Sequence, residues 1–547
     1  MITGSDELTD PLVPFRENVL SYAKRAGIVS PILTTPPIEF GDISISDVRD
    51  IETARKILDS FVAGDVLSRV SVVSMPNPFV NFHVNTKTLA ELTLNMVQTR
   101  KEKYGWQNPN GKHVIVEHTS ANPTGPLHVG RARNSIVGDA VVRLLKASGY
   151  DVETHYYVND LGLQSAILSW GVSHSQTYQN AHASFTNQSQ IKEEIYQLML
   201  AAERGETESI SSACNLVIES SLRFIGITFD KFIWESSFLK DGSVFRVVAN
   251  LKSSNLASQQ DESWQLDLSD PKYNIHGTET KMVFLRKNGS TLYITRDIAY
   301  HLSKFASSDI VVNILGEDHK HEAHLLSIAL NIIGEKRSPT VLFYSFVTLA
   351  DGKMSTRKGN SVLFDDLVNE AIIRAKKIVD EKRSSLDEMR KNEIARAIGI
   401  GAVRYNILRI HPAKPIVFRW EDALNFDGSS APFLQYAHVR CCSILKNREL
   451  KSANLNLLST QHERNLIWKI ASFPSEVQDA TIHYKPHIIP TFAHSLGSTF
   501  NTFYEKLPVL KAETEELQNS RLVLIDATRI ALANALQLMG IEPLEEM

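Results

Sequence analysis

The pattern that most constrains the fold of this chain is a strand, a tight turn and a helix within residues 113–148. An apolar strand is predicted from His113 to Glu117, the turn carries Pro126-Leu127-His128-Val129-Gly130-Arg131, and a helix is predicted from about Ala132 to Ser148. A second strand is predicted from Val152 to Val158. This order is typical of a βαβ unit, whose helix N-terminus offers unpaired N–H groups and a positive dipole end to phosphates. The segment therefore predicts a parallel sheet with a phosphate site at its edge.

A second polar segment, far along the chain, complements the first. It is Lys353-Met354-Ser355-Thr356-Arg357-Lys358-Gly359, and it follows a strand predicted from Thr340 to Thr348. A loop rich in Lys, Arg and Gly can close over a triphosphate, and its cations balance the charge that develops there. In this order the two segments predict the two halves of one ATP site.

Hydrophobic periodicity divides the chain into three parts. Residues 1–106 alternate helical patterns with short strands and predict a small α/β domain, whereas residues 107–365 hold a Rossmann-type parallel sheet with a helical insertion at about 171–280. A hairpin is predicted from Lys281–Arg286 and Leu292–Thr295 around an Asn-Gly turn, with a helix after Thr295. Residues 366–547 are almost entirely helical by period. The predicted fold class is α/β and multidomain, with an all-α C-terminal bundle.

Composition sets limits on partners and location. The 547 residues are enough for several domains, and the net charge of −4 gives no global basic signature for nucleic acid. The three cysteines, Cys214, Cys441 and Cys442, have no metal-ligand spacing, and the adjacent pair is poorly placed for a disulfide, which favours a reducing interior. The N-terminus lacks a signal-peptide pattern and no long apolar run occurs. We therefore expect an intracellular, cytoplasmic protein.

Further motifs occur in one order along the chain. They are Phe79–Val84, Ser120-Ala121-Asn122 before the first turn, Tyr156–Gly162, Tyr293–Tyr300, Ser430–Arg440, Asp526–Arg529 and the closing Gly540–Pro543. Together with the two polar segments, they resemble the arginyl-tRNA synthetases, a family of class I aminoacyl-tRNA synthetases. The resemblance covers about residues 70 to 547.

The resemblance implies an ATP-dependent ligase. Such an enzyme joins arginine to ATP as an adenylate, releases pyrophosphate and moves the arginyl group to the 3′-terminal ribose of tRNA(Arg), with tRNA needed for activation. No covalent enzyme intermediate is implied, so catalysis rests on positioning and on electrostatic stabilisation of an in-line phosphoryl transfer. The resemblance also implies that residues 1–106 bind the tRNA elbow and residues 366–547 bind the anticodon. We expect a monomer whose partners are tRNA(Arg), arginine and ATP, without membrane contact.

The ATP contacts that the resemblance implies come from both polar segments and from a strand end between them: Gly125, His128, Gly130, Arg131, Gly316, Asp318, Lys353, Met354 and Ser355. The predicted catalytic residues among the basic side chains are His128, Arg131, Lys353 and Lys358. Arg131 and Thr356 depart from the family pattern, which usually has histidine and lysine at these positions. The planar guanidinium of Arg131 is suited to phosphate oxygens. The second cation of the loop is either Lys358 or Arg357.

Arginine recognition calls for acidic residues, because carboxylates hold a guanidinium best in bidentate geometry. The resemblance assigns the amino acid to Asn122, Glu235, Tyr293, Asp297 and Asp318. Glu235 matches the acid that faces the guanidinium, and Asn122 matches a residue at the amino-acid end of the substrate. Asp297 has an alternative reading as an acid favoured in the first turn of a helix by its dipole. Asp318 falls where relatives often have glutamine.

A metal site is an alternative use of the segment after Gly316. His321 and His324 share one helical face, as a zinc pair would, and His319, Glu317 and Glu322 lie nearby. Because the resemblance assigns ATP and amino-acid contacts to this segment, we expect no protein-bound metal. Mg²⁺ carried in with ATP is expected instead.

The predicted tRNA contacts are Asn81 and His83 in the N-terminal domain and Tyr436, Arg440 and Met547 in the helical bundle. Single-stranded anticodon bases are read by stacking and by edge hydrogen bonds, which suits such residue types.

Two alternatives remain for the function of the whole chain. A non-catalytic RNA-binding paralogue is supported only by the Arg131 and Thr356 departures, and a synthetase for another amino acid would want an apolar or zinc-lined pocket.

Overall fold

The computed structural model describes residues 9–37, 39–73, 78–122, 127–222, 225–273, 280–349 and 363–547, without side chains at 216–222 and 349. Its N-terminal part is a small α/β unit: α1 (Val13–Arg25), β1 (Leu33–Thr34), β2 (Ile43–Ile45), α2 (Ile51–Ser60), β3 (Leu67–Val73), β4 (Phe79–Val84) and α3 (Thr86–Arg100). The strands pair antiparallel in the order β1-β2-β4-β3. Asp50 begins α2 by accepting a hydrogen bond from the Thr53 N–H at 2.7 Å. The predicted α/β character of this region is confirmed.

The βαβ unit follows, and after it a helical segment. The elements are β5 (His113–Glu117), α4 (Val129–Ala147), β6 (Asp151–Val158), α5 (Leu163–Ser173), α6 (Tyr178–Asn187), α7 (Ser189–Glu203), α8 (Glu208–Leu222) and β7 (Lys231–Trp234). Nearly every side chain of α4 is buried, because the helix packs between the sheet and the C-terminal helices. Helix α4 begins at Val129, three residues before the predicted start, because His128 caps it.

The rest of the central region holds α9 (Ser237–Lys240), α10 (Ser243–Lys252), β8 (Ala257–Gln260), β9 (Ser263–Asp267), β10 (Lys281–Leu285), α11 (Tyr293–Ser307), β11 (Ile310–Gly316), α12 (Lys320–Ile332), β12 (Thr340–Tyr344) and β13 (Val347–Leu349). Five strands form one parallel sheet in the order β12-β11-β5-β6-β7. Strands β10, β9 and β8 form a separate antiparallel sheet. The predicted Rossmann-type sheet is confirmed.

Two local predictions in this region are wrong. The segment at 171–280 is not a purely helical insertion, because it contains the edge strand β7 of the parallel sheet and two strands of the antiparallel sheet. The predicted hairpin is also wrong in its second strand. Leu285 and Thr291 form one isolated bridge, and the chain then enters α11 at Tyr293. Short apolar runs fit a strand or a buried helix start equally well, so their periodicity could not decide.

The C-terminal part is a helical bundle: α13 (Phe364–Lys382), α14 (Glu388–Leu408), β14 (Ile416–Phe418), α15 (Trp420–Ala423), α16 (Ala431–Leu445), α17 (Gln461–Ala471), α18 (Phe473–Ile482), α19 (Ile488–Lys506) and α20 (Glu515–Leu538). A capping box of Thr460 and Glu463 begins α17. The short strand β14 pairs parallel with β13 and is an exception to the all-helical prediction. No helix of the described ranges is long and apolar enough to cross a membrane.

The three parts share buried polar contacts. Arg404 of α14 forms an ion pair with Asp139 of α4, and it also donates to the Met539 carbonyl oxygen at 2.8 Å. Tyr104, just after α3, donates its hydroxyl to the Ile470 carbonyl oxygen in the bundle at 2.8 Å. Since each of these groups is buried, leaving one unpaired would cost stability. The contacts fix the orientation of the bundle relative to the parallel sheet.

Candidate active site

The main candidate site is a cavity at the carboxyl ends of β5 and β11. These strands are neighbours in the parallel sheet, and the crossover connections leave them in opposite directions, which makes this the switch point where open α/β sheets bind ligands. The cavity has a volume of about 690 Å³. Its lining includes Glu117, Thr119, Ser120, Asn122, His128, Gly130, Arg131, Asn134, Asn159, Tyr293, Gly316, Asp318, His319, Tyr344, Phe346, Val347 and Thr348.

The loop after β5, which lines the cavity, has an unusual backbone conformation. Thr119 and Ser120 adopt positive φ values of 70° and 33°, a region that side chains other than glycine seldom occupy. Asn134 of α4 stabilises this loop, because its Oδ1 accepts from the Thr119 N–H at 2.8 Å while its Nδ2 donates to the Ile314 carbonyl oxygen at 2.9 Å. Ser120 accepts from the Tyr157 N–H at 3.0 Å and donates to Glu117. One asparagine thus joins β5, α4 and β11.

His128 is fixed at the start of α4. Its Nδ1 accepts from the Gly130 N–H at 3.0 Å, so a neutral imidazole carries its proton on Nε2. Burial, assisted by the nearby Arg131, lowers the pKa of His128. The side chain is therefore a neutral donor at the edge of the cavity, next to the N-terminal N–H groups of α4.

The structure brings most of the predicted ATP residues together. His128, Gly130, Arg131, Gly316 and Asp318 all line the cavity, and the Arg131 side chain is exposed. A Cβ at position 316 would overlap Asp318 Oδ1, so a larger residue there would displace this carboxylate. Gly125, Lys353, Met354, Ser355, Thr356, Arg357 and Lys358 lie outside the described residues.

The predicted arginine residues fall into two groups. Asn122 and Tyr293 line the cavity. Glu235 and Asp297 do not line it, and both lie in polar networks next to it. Asp297 forms an ion pair with His301 at 3.0 Å, and although burial opposes its ionisation, His301 and Lys304 hold the pKa of Asp297 below its ordinary value. Glu235 pairs with Arg296, the residue that precedes Asp297 in α11.

Sequence reasoning missed a second buried network beneath the cavity. Lys304 of α11 is fully buried, forms an ion pair with Glu117 and donates to Asn313 Oδ1 at 3.0 Å. Asn313 in turn contacts His301 Nε2 at 2.7 Å, which links Glu117 to the Asp297 ion pair. A buried lysine needs a paired acid, and its partner lies 187 positions away. Local sequence patterns contain no signal of such a pairing.

Two of the histidines after Gly316 have contacts with other groups. His324 donates to the Tyr273 carbonyl oxygen at 2.7 Å, and His319 lies 3.8 Å from an oxygen of Asp318. Within the part of the chain that the structure describes, no group of three or more His, Cys, Asp or Glu side chains is placed to hold a metal ion.

The predicted tRNA residues differ in accessibility. Tyr436 on α16 is 47% exposed, and Arg440 on the same helix lies 4.3 Å from the centre of the Tyr504 ring. Asn81 and Met547 are buried, and Arg383 donates to the Met547 carbonyl oxygen. His83 is half-buried on β4. The side chains of Asn81 and Met547 are therefore not accessible to tRNA in this conformation, whereas the side chain of Tyr436 is exposed.

Comparisons with known proteins agree with this architecture. The profile of "tRNA synthetases class I (R), catalytic domain" matches residues 93–420, and the "DALR anticodon binding domain" profile matches residues 434–547. The chain is 40% identical to an arginine–tRNA ligase of Methanocella arvoryzae over 520 residues, which covers 91% of this chain and 90% of that protein. A ligase of the same name from Methanococcus aeolicus is 37% identical over 517 residues, 89% of each chain.

Among solved structures, the arginyl-tRNA synthetase of Thermus thermophilus superposes with a TM-score of 0.84 at 25% identity, over 98% of this chain and 99% of that one. The parallel sheet, the cavity at its switch point and the profile matches define a class I aminoacyl-tRNA synthetase. Within that class, the chain belongs to the arginyl-tRNA synthetase family. The family and the activity class predicted from the sequence are confirmed.

Proposed function

We propose that this chain, an arginine–tRNA ligase by family, activates arginine at the β5–β11 cavity and transfers it to the 3′-terminal ribose of tRNA(Arg). The observation that carries the proposal is the position of His128 and Arg131 at the start of α4, in a cavity that Asn122 and Tyr293 also line. A nucleotide at the helix start and an amino acid beside Tyr293 would meet in one space. This arrangement suits an in-line attack of a carboxylate on the α-phosphate.

Phosphate recognition is assigned to His128 and Arg131. His128 is held as a neutral imidazole with its Nε2–H available, so it donates to a phosphate oxygen without adding fixed charge. Arg131 supplies the charge, and its exposed side chain can follow the triphosphate as pyrophosphate leaves. Lys353, with Lys358 or Arg357, would add cations from the second segment. Mg²⁺ would enter with ATP. Asp318, which follows the Gly316 turn and lines the cavity, is an acid that would lie near this ion.

Arginine recognition is assigned to Asn122, Tyr293, Asp297 and Glu235. Asn159 donates to Asn122 Oδ1 at 2.8 Å, and Asn122 donates to Gln164 Oε1 at 3.0 Å, so this side chain has a fixed orientation at the cavity wall. The ionised Asp297 supplies negative charge for the substrate guanidinium. Lysine and glutamine as substrates lack the planar guanidinium, whose parallel N–H groups donate two hydrogen bonds to one carboxylate, so they would leave these acids incompletely paired.

The domain assignment completes the proposal. Residues 1–106 would bind the tRNA elbow, residues 107–365 would carry catalysis, and residues 366–547 would bind the anticodon through an exposed surface that includes Tyr436 and Arg440. A monomeric state and a cytoplasmic location belong to the same proposal.

The direct test is tRNA-dependent incorporation of labelled arginine, with lysine, glutamine and glutamate as controls. We expect incorporation of arginine alone, with ATP and Mg²⁺ required. Pyrophosphate exchange is measured with and without tRNA, because activation without tRNA would contradict the tRNA requirement. A complete lack of charging with every tRNA preparation would instead support the non-catalytic RNA-binding paralogue, a reading that the family matches do not favour.

The role of Arg131 is tested separately with Arg131→His. We expect a lower kcat and a higher KM for ATP, since histidine offers fewer donors and less charge to the triphosphate. A several-fold higher activity with unchanged ATP affinity would exclude a phosphate role for Arg131. Lys358→Ala that left arginine activation intact would leave Arg357 as the second cation.

A further inference from the structure

The chain places a guanidinium of its own on the carboxylate assigned to the substrate guanidinium. Arg296 Nε donates to Glu235 Oε1 at 2.6 Å, and the Arg296 Nη1 donates to the Thr291 carbonyl oxygen at 2.8 Å. The exposed fractions of the two side chains are 12% for Arg296 and 1% for Glu235. Glu235 Oε2 accepts no hydrogen bond from the residues that the structure describes. Among the described residues, therefore, Oε1 has a partner and Oε2 has none.

The charge on Glu235 depends on this neighbour. Burial raises the pKa of Glu235 above its ordinary value, and Arg296 opposes the shift. The other charged groups that face Glu235 are Asp160 and Asp297, which both disfavour its ionisation. Tyr157 and Tyr293 lie near the same group but bring no charge of their own. Arg296 is thus the cation with the largest effect on the pKa of Glu235.

We propose that Arg296 is a positioning residue for arginine recognition, which keeps Glu235 ionised and holds Oε1 so that Oε2 remains for the substrate guanidinium. The inference rests on the proposed assignment of Glu235 to arginine. Its chemistry is that of one carboxylate shared between two guanidinium groups, one from the chain and one from the substrate. Each carboxylate has enough lone pairs for this arrangement.

The positions of both residues in the fold support the sharing. Glu235 follows β7 directly, and its N–H donates to the Val158 carbonyl oxygen at 3.0 Å, so its backbone is fixed by the parallel sheet. Arg296 lies in the first turn of α11 between Tyr293, which lines the cavity, and Asp297. A guanidinium that entered past Tyr293 would meet Asp297 and the free oxygen of Glu235 together.

The test is the pH dependence of KM for arginine in Arg296→Gln, measured by aminoacylation from pH 6 to pH 9 beside the wild type. Without the guanidinium, a buried Glu235 holds its proton at neutral pH and loses it only as the pH rises. We expect the ratio of KM values, variant over wild type, to be about tenfold or more at pH 7 and to fall by about threefold or more by pH 9. KM for ATP should remain near that of the wild type.

Three further variants keep the test decisive. Arg296→Lys retains the cation, so the ratio of its KM for arginine to that of the wild type should not depend on pH. Glu235→Gln removes the titrating group, so its ratio should be raised equally at all pH values, and adding Arg296→Gln should not raise it further. Arg521→Gln breaks a matched buried pair, Arg521 Nε to Glu463 Oε1 at 2.8 Å in the helical bundle, and should lower thermal stability without a pH-dependent change in KM for arginine.

A KM ratio near one, or a raised ratio that stays constant across pH 6–9 in Arg296→Gln, would overturn the proposal. So would a lower KM, which would make Arg296 a competitor of the substrate. If Arg296→Gln does not fold, the size of the KM ratio for arginine decides: the ratio for Arg296→Lys should stay near one while that for Glu235→Gln is raised at every pH, and equal ratios for these two variants would overturn the proposal. Wild-type charging of arginine is measured in every series, so a failure of the proposed function is visible apart from a failure of this inference.

Discussion

The guanidinium of Arg133 donates a hydrogen bond to the backbone carbonyl oxygen of Ser345 at 2.8 Å. The same fully buried side chain donates to the carbonyl oxygens of Lys414 at 2.7 Å and His411 at 3.0 Å. Ser345 lies between β12 and β13, and its hydroxyl donates to Glu317 at 2.6 Å. Arg133 therefore joins the first helix of the active site to the strand that lines the cavity and to the segment that leads into β14.

Arg133→Lys should destabilise the protein and weaken ATP binding. An ammonium group cannot reach three carbonyl oxygens in the fixed directions of a guanidinium, so at least one buried acceptor loses its donor. We expect a loss of about 1–3 kcal/mol in the free energy of unfolding, measured by denaturant titration. KM for ATP should rise, because Phe346, Val347 and Thr348 line the cavity just beyond Ser345.

Arg143→Lys on the same helix is the matched control. Arg143 is 35% exposed and pairs with Asp139, so its replacement should change the free energy of unfolding by no more than about 1 kcal/mol. An equal loss in the free energy of unfolding for the two substitutions would contradict the prediction, because it would show that the buried carbonyl contacts of Arg133 contribute no more than the partly exposed ion pair of Arg143.

His118 should make the fold sensitive to acid. Burial lowers the pKa of His118 from 6.5 to about 4. The unfolded chain takes up a proton as the pH falls below about 6.5 while the folded chain does not, so stability is lost between pH 6.5 and pH 4. This single group should account for about 2 kcal/mol of the stability lost between pH 7 and pH 5. His118→Gln should remove that part of the pH dependence in urea titrations at the two pH values, and an unchanged dependence would contradict it.

Gly138→Ala should distort the first half of the site. A Cβ at position 138 in α4 would overlap the ring of His118, which follows β5 directly. We expect a loss of about 1–3 kcal/mol in the free energy of unfolding from overpacking, although alanine favours helices, together with a lower kcat. Gly64→Ala is the control, since a Cβ there meets no atom within 4 Å. A stabilised Gly138→Ala variant would show that the ring can move without cost.

Tyr436→Ala should affect tRNA alone. The side chain is 47% exposed on α16 and is not among the residues that line the cavity. Loss of a stacking surface should raise KM for tRNA by about tenfold, by analogy with base–aromatic stacking energies of about 1–3 kcal/mol. KM values for ATP and arginine should not change. Aminoacylation kinetics with each substrate varied in turn measure all three, and a change confined to ATP or arginine would contradict an anticodon role.

Much of the architecture could be predicted from local patterns. The strands β5 and β6 and the helix α4 follow from apolar runs and from the turn that separates them, and the predicted bounds differ from the observed ones by a few residues at most. The pattern failed at Leu292–Thr295, where an apolar run after a turn begins a helix, and at β7, where a four-residue strand within a helical region completes the parallel sheet. Strands this short carry little periodicity, and pairing with β6 decides their conformation.

The sequence by itself determined the βαβ unit, the residue types at the helix start and the order of the motifs, because these depend on neighbours along the chain. Only the tertiary structure decided which distant groups form hydrogen bonds or ion pairs with one another. Asn134 reaches Ile314, Arg133 reaches Lys414 and Arg296 reaches Glu235 across 180, 281 and 61 positions. A buried polar group needs a partner wherever the fold supplies one. Sequence spacing cannot identify that partner, since it is set by the packing of α4, α11 and the parallel sheet.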